Sequence, residues 1–270
     1  MPDVTLSPSL TMHYEDHYFG EAWKTPETIV LVHGVAESGR AWDQWVPHLS
    51  RHYRVIRPDL RGFGASTIPP DNYVFTPQGF AADLADFIET LELGPVHMVG
   101  AKIGGTVTMQ FAADFPGLCR SASIFSGPVR SRHTGGSADL TTFEEWVRSK
   151  GVRTWASETM RARLGNEASE ELVEYWTDFM AQCDTQVCID IQVMVAELDI
   201  TEALSRIKAP VLVGTTEKSA LASVDVVREW QQGIAGSELV VLPGDSYHVA
   251  VVRADECAEK TLDFIRRRAS

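Results

Sequence analysis

The spacing of apolar residues changes period several times along this chain, and the changes mark its elements. Val4 to Leu6 and Thr11 to Tyr14 flank Ser7-Pro8-Ser9, which predicts an opening hairpin. Thr28 to Val32 is an unbroken apolar run, as expected of a strand covered on both faces. Ala41 to Ser50 reads as a helix and Tyr53 to Ile56 as the next strand. Thr76-Pro77 then opens a helix, with threonine as N-cap and proline in the first turn. Phe80, Leu84, Phe87, Ile88 and Leu91 form its buried stripe at helical spacing. Val96, Met98 and Val99 end another strand, and Ile103, Val107, Met109 and Phe111 begin another helix. Ala122 to Phe125 is again a strand. Strand alternating with helix predicts a parallel sheet.

The alternation stops there. From about Val129 to Ile207 the pattern is helical throughout, apart from a polar loop over Arg132–Asp139, and it carries Trp146, Trp155, Trp176, Phe143, Tyr175, Phe179 and Met180. The alternation resumes with a strand at Ala209-Pro210-Val211-Leu212-Val213, a helix near Val224 to Gln232, a strand at Glu238 to Leu242 and a last helix from about Asp255 to Arg267. The expectation is one α/β core, residues 1–128 and 208–270, interrupted by a helical insertion over 129–207, with no internal repeat.

Between the strand ending at Val99 and the helix opening at Ile103 stands Gly100-Ala101-Lys102-Ile103-Gly104. Two glycines so placed allow strand and helix backbones to approach, and the central residue is thrust out over the sheet edge at a helix N-terminus. This is the glycine frame of the G-x-S-x-G turn with lysine in the serine's place, and no other G-x-S-x-G occurs in the chain.

Composition narrows the partners. The chain has 270 residues, 44% of them hydrophobic, and a formal charge of −13. Without a basic run to offset that acidity, nucleic acid and anionic membranes are poor partners. Cys119, Cys183, Cys188 and Cys257 show no C-x-x-C spacing, which reads as free thiols in a reducing compartment. The N-terminus lacks a basic region followed by an apolar run, and no stretch approaches the ~20 apolar residues of a membrane helix, so the expected location is the cytoplasm. The histidines form no metal-ligand cluster; His48 and His52 have the spacing of a pair but lack a third ligand. No dinucleotide fingerprint occurs, and no cofactor is implied. Oligomeric state is left open.

Five features in this order, His33-Gly34, Asp59-Leu60-Arg61-Gly62-Phe63-Gly64-Ala65-Ser66, the glycine-framed turn, Ala209 to Val213 and the late Gly244 to His248, resemble the α/β-hydrolase superfamily over nearly the whole chain. The resemblance implies an eight-stranded, mostly parallel sheet with the insertion as a lid over the active site. It implies His248 as the catalytic histidine and an oxyanion hole made by the backbone N–H groups of Ile103 and Val35. Glu37, Ser38, Arg40 and Trp42 lie in or just beyond that second loop; Arg40 could bind a substrate carboxylate, although a solvated surface arginine is the simpler reading. The family's acid position falls on Ser219, in Thr216-Glu217-Lys218-Ser219. Glu217, or Asp245 three residues before His248, is then the candidate orienting acid.

A lysine on this turn admits two chemistries. Desolvation and the helix N-terminus lower its pKa, and a shift of about 3 units from ~10.4 makes it a usable amine, able to form a Schiff base with a ketone or aldehyde. If charged, it is a fixed cation beside an activated water, with His248 as general base. The expected activity is hydrolase-like, on a small, mostly apolar carbonyl compound: an ester, lactone or β-dicarbonyl. The alternatives are a catalytically inactive small-molecule receptor or scaffold, and a Schiff-base C–C lyase or decarboxylase.

Overall fold

The computed structural model describes residues 2–71, 73–131 and 140–268, so the polar loop expected over Arg132–Asp139 lies outside the described residues. Asp3–Ser7 (β1) and Leu10–His17 (β2) form the opening antiparallel hairpin, with Thr5 opposite Thr11. Thr28–Val32 (β3), Arg54–Pro58 (β4), Val96–Ala101 (β5), Cys119–Phe125 (β6), Val211–Thr216 (β7) and Glu238–Leu242 (β8) complete an eight-stranded sheet of order β1-β2-β4-β3-β5-β6-β7-β8. β2 pairs antiparallel with β4, and every pairing from β3 onward is parallel. β3, β5 and β7 are buried at every residue, which is why they read as continuous apolar runs.

The stretch expected as one helix over Ala41–Ser50 is two pieces: a tight turn at Gly39–Trp42 and a short helix, α1, at Val46–Leu49. Pro47 is the reason. A helix running through it would lose the bond from residue 47 to Asp43 and drive the proline ring into that carbonyl. The break lets Trp42 and Trp45 both bury, packed edge-to-face with Trp45 against Phe125 under the sheet.

Pro77–Thr90 (α2) and Ile103–Asp114 (α3) pack together on one face of the sheet. Thr76 caps α2 by accepting from Gly79 N at 2.9 Å. Between β6 and β7 come Leu140–Lys150 (α4), Val152–Leu164 (α5), Glu170–Met180 (α6), Thr185–Ala196 (α7) and the single turn Thr201–Leu204 (α8), and none of these residues extends the sheet. The described ends of this insertion are joined: Ser131 N donates to Leu198 O and Ile200 N to Val129 O, and Arg130 pairs with Asp199. Val224–Gln231 (α9), Val249–Val252 (α10) and Ala254–Arg268 (α11) finish the chain, α11 burying Cys257, Ala258, Leu262 and Ile265 on the face that holds Trp45. No described helix is long and apolar enough to cross a membrane.

Candidate active site

The C-terminal ends of β3, β5 and β7, and the loop after β8, bring four segments together above the sheet. Lys102, the residue between β5 and α3, has φ 53° and ψ −124°, a left-handed conformation that costs a residue with a side chain roughly 1–3 kcal/mol. The surroundings hold it there. Its N–H donates to Phe125 O at 2.9 Å, and its carbonyl accepts from Gly105 and Thr106. A Cβ on Gly100 would collide with the carbonyl oxygen of Gly104, and one on Gly104 with that of Val32. The glycine frame is therefore a steric requirement of the turn, as its sequence suggested.

The loop after β3 is fixed from below. His33 Nε2 accepts from Leu60 N at 2.9 Å, which leaves Nδ1–H to donate to Gly34 O at 2.8 Å. Asp59 accepts from Gly39 N and Ala65 N, and Gly64, at φ 56°, makes room for that carboxylate. The Asp59–Ser66 motif thus shapes the loop and does no chemistry itself. Held in this way, the loop turns Glu37 inward. Its Oε2 accepts from Gly34 N at 2.9 Å, and its Oε1 takes an ion pair from Lys102 Nζ. The same oxygen lies 3.1 Å from His248 Nε2, out of line for a formed hydrogen bond, and among the described residues neither ring nitrogen of His248 has a hydrogen-bond partner.

All three side chains are sealed from solvent; the carboxyl of Glu37 is 1% exposed. That burial sets the charges. It pushes the Glu37 carboxyl upward, but Lys102 and His248 outweigh it and hold the carboxyl well below the usual range. Burial pushes Lys102 down to about 8, against the pull of Glu37 and with help from Arg163. Burial and the neighbouring Lys102 bring His248 down to about 4 against Glu37. At neutral pH the set is an ionised Glu37, a neutral His248 and a Lys102 that is protonated but close to its titration point.

Two helices of the insertion touch this cluster. Trp176 of α6 packs edge-on to the His248 ring, centroids 4.9 Å apart. His248 N and Ser246 Oγ both donate to the carbonyl of Arg163, the penultimate residue of α5. The N–H groups of Val35 and Ile103 donate to no other described group, and Ile103 N lies at the first turn of α3. A cavity of about 1150 Å³ lies between the insertion and the ends of β6 and β7, lined by Ser126, Trp155, Val213, Ser219 and Leu221 among others, and Lys102, Glu37 and His248 are not among its lining residues.

The orienting acids suggested by sequence spacing stand elsewhere. Glu217 is exposed, and no described contact joins it to the imidazole. Asp245 is turned to Asn166, accepting from its N at 3.2 Å and its Nδ2 at 2.5 Å, and so ties the end of α5 to the histidine loop. The carboxylate beside His248 is Glu37, which spacing noted only as a loop residue. Its one signal in the sequence was its place in the loop after His33-Gly34; that the stretch His33 to Gly39 is buried appears only in the fold.

Comparison with known proteins follows the same lines. A family model described as alpha/beta hydrolase fold matches residues 27–149. The enol-lactonase of Burkholderia xenovorans superposes with a TM-score of 0.88 at 22% identity, covering 98% of this chain and all of that one. The chain has the α/β-hydrolase fold. Its eight-stranded, mostly parallel sheet is the expected one. Among sequence relatives, (E)-2-((N-methylformamido)methylene)succinate hydrolase of Acinetobacter baylyi is 28% identical over 60% of this chain and 64% of its own length. The 2-hydroxy-6-oxo-2,4-heptadienoate hydrolase of Pseudomonas putida is 42% identical over 33% of each chain. The chain therefore aligns with less than two thirds of either relative.

Proposed function

We propose that this α/β-hydrolase-fold protein is an enzyme acting on a small, mostly apolar carbonyl compound, an ester, lactone or β-dicarbonyl, with Lys102 as its working amine at the nucleophile position. The observation that carries the proposal is the buried Lys102–Glu37–His248 cluster, in which the lysine alone titrates near neutral pH. General-base and amine catalysis work best when the group's pKa lies near the working pH. With a β-dicarbonyl the neutral amine adds to the ketone carbon, its proton passes to the new alkoxide by way of Glu37 or His248, and loss of water gives the imine; an ester or lactone is instead attacked by water that His248 activates, because an acyl-lysine would be a stable amide. The carbonyl oxygen sits against the N–H groups of Val35 and Ile103, a backbone hole that survives any change of side chain. The insertion 129–207 serves as the lid, and the cavity lined by Trp155 and Leu221 takes the apolar part of the substrate. That both sequence relatives above are named as hydrolases supports a hydrolytic outcome.

The Glu37 ion pair favours a second reading, in which Lys102 stays charged and stabilises an oxyanion while His248 activates water. One set of measurements separates them. The protein is incubated with β-diketones, β-keto acids, esters and lactones, with and without borohydride, and intact mass and initial rates are followed from pH 6 to 10. The amine reading expects a reduced adduct on Lys102 with the dicarbonyls and a rate that rises through about pH 8. The cation reading expects no adduct and a rate that falls over the same interval. No turnover on any member, with a ligand that raises the melting temperature, would leave a receptor and sink both.

A further inference from the structure

Arg163 is the one group beside this cluster that the mechanism above leaves without a task. It is 9% exposed, at the end of α5, and the only described acceptor for its guanidinium is Thr159 Oγ1, which takes Nε–H at 3.1 Å. No described carboxylate pairs with it, and its Nη1 and Nη2 donate to no described group. The guanidinium lies over the Trp155 ring at 4.9 Å and within 5.8 Å of the Tyr247 ring centre, contacts that orient a cation without neutralising it. Its position is rigid, because its own carbonyl receives the bonds from His248 N and Ser246 Oγ.

An arginine stays charged in any environment, so a buried one without a counter-ion is costly unless something else supplies the anion. Here the deficit is local. Lys102 and Arg163 bring two positive charges, Glu37 brings one negative charge and neutral His248 brings none, within a protein whose total is −13. The Arg163 charge reaches both Lys102 and His248. Trp155, which carries the guanidinium on its ring, also lines the cavity beneath the insertion. Arg40, the arginine that sequence suggested for a carboxylate, is exposed and takes no part.

We propose that Arg163 anchors a substrate carboxylate, so that the compound processed at Lys102 is a carboxylic acid that also bears the reacting carbonyl. The planar fork of unpaired Nη–H donors matches the two oxygens of a carboxylate, and Trp155 and Tyr247 set its orientation. The carboxylate completes the charge of the site, and it fixes the distance between the anchored end of the substrate and the Lys102 amine. This rests on the function proposed above for the substrate's chemistry, but its test does not require turnover.

Hexanoate and hexanamide, matched in shape and differing in charge, are titrated into the full-length protein by calorimetry at pH 7. The wild type is expected to bind hexanoate at least about 10-fold more tightly than hexanamide, the size of one charge-assisted pair. Arg163→Gln removes that preference. Arg163→Lys keeps part of it, because lysine supplies a point charge without the fork. Lys102→Met retains the preference. Equal binding of the two probes by the wild type overturns the proposal, and that comparison stands even if Arg163→Gln does not fold. Loss of the preference in Lys102→Met but not in Arg163→Gln overturns it too, by assigning the anion to the lysine. A wild type that prefers hexanoate but turns over no carbonyl substrate leaves this proposal intact and refutes the function proposed above.

Discussion

The two sides of the His248 ring are furnished differently. Toward Nε2 stand Glu37 and, beyond it, Lys102, both buried and paired with each other. Toward Nδ1 no described group bonds the ring, and the loop after β7 carries Ser219 where the resemblance to the α/β hydrolases puts the acid. In a serine triad the carboxylate stands behind the imidazole and stabilises the imidazolium as the serine proton arrives. In this chain the carboxylate stands in front, between the imidazole and the residue on the elbow. A carboxylate so placed stabilises a cation on the elbow, while burial and Lys102, against the pull of Glu37, bring the ring down to about 4. On the function proposed above, the acid moved across the histidine keeps the transferable proton on Lys102 rather than on a serine relay.

Glu37→Gln tests that comparison most severely. It takes the partner from a buried ammonium, which costs roughly 3–5 kcal/mol when one member of a buried pair is removed, and it leaves Lys102 with no proton acceptor on that side. Urea unfolding at pH 7 should show the loss, and turnover should fall to background. A variant of unchanged stability would mean that the carboxylate is not what holds the lysine.

His248→Ala comes next, with an expected loss of ~100- to 10,000-fold in kcat/KM for removal of a general base. Its companion is Lys102→Ser. With Nδ1 unsupported, this variant should hydrolyse p-nitrophenyl esters only marginally. Robust ester hydrolysis by it would show that another carboxylate already serves the ring, and the contrast between its two sides would collapse.

Smaller, and readable without a substrate, is the pH dependence of stability. Lys102 binds its proton less tightly folded, at about 8, than unfolded, near 10.5. Between those values the unfolded chain holds more protons, so this group makes stability rise with pH. Relative to Lys102→Met, the wild type should gain up to about 3 kcal/mol between pH 8 and 10.5, most of it in the middle of the interval. A flat difference would mean that the amine is solvated in solution. Smallest are the two acids that sequence spacing offered. Glu217→Gln should leave kcat/KM within about twofold and stability within ~0.5 kcal/mol, as for an exposed residue. Asp245→Ala should cost ~1–2 kcal/mol by freeing Asn166 and the end of α5, with the pH profile of activity unmoved.

Local rules determined a good deal of this protein from sequence alone. Local pattern located all eight strands: β3, β5 and β7 as apolar runs, because a strand buried on both faces has no solvated side to carry a polar alternation, and the opening hairpin by the turn residues between β1 and β2. The glycines at 100 and 104 announced the elbow and put Lys102 on it, since the turn is a matter of sterics within a few residues. Position after the last strand pointed to His248. The helix expected over Ala41–Ser50 failed on a local rule as well, the proline at 47. Which carboxylate meets the histidine was a different kind of question. Glu37, Glu217 and Asp245 carry the same charge, and only the folded chain decided among them. Bonds from Asp59 and His33 close the loop that turns Glu37 inward, where a charge must pair or be neutralised; Asn166 occupies Asp245; water solvates Glu217. Arg163 and Trp176 reach the site from helices that begin about fifty residues or more past the elbow, and no periodicity encodes where an insertion lays its side chains, because that depends on packing among helices distant in sequence.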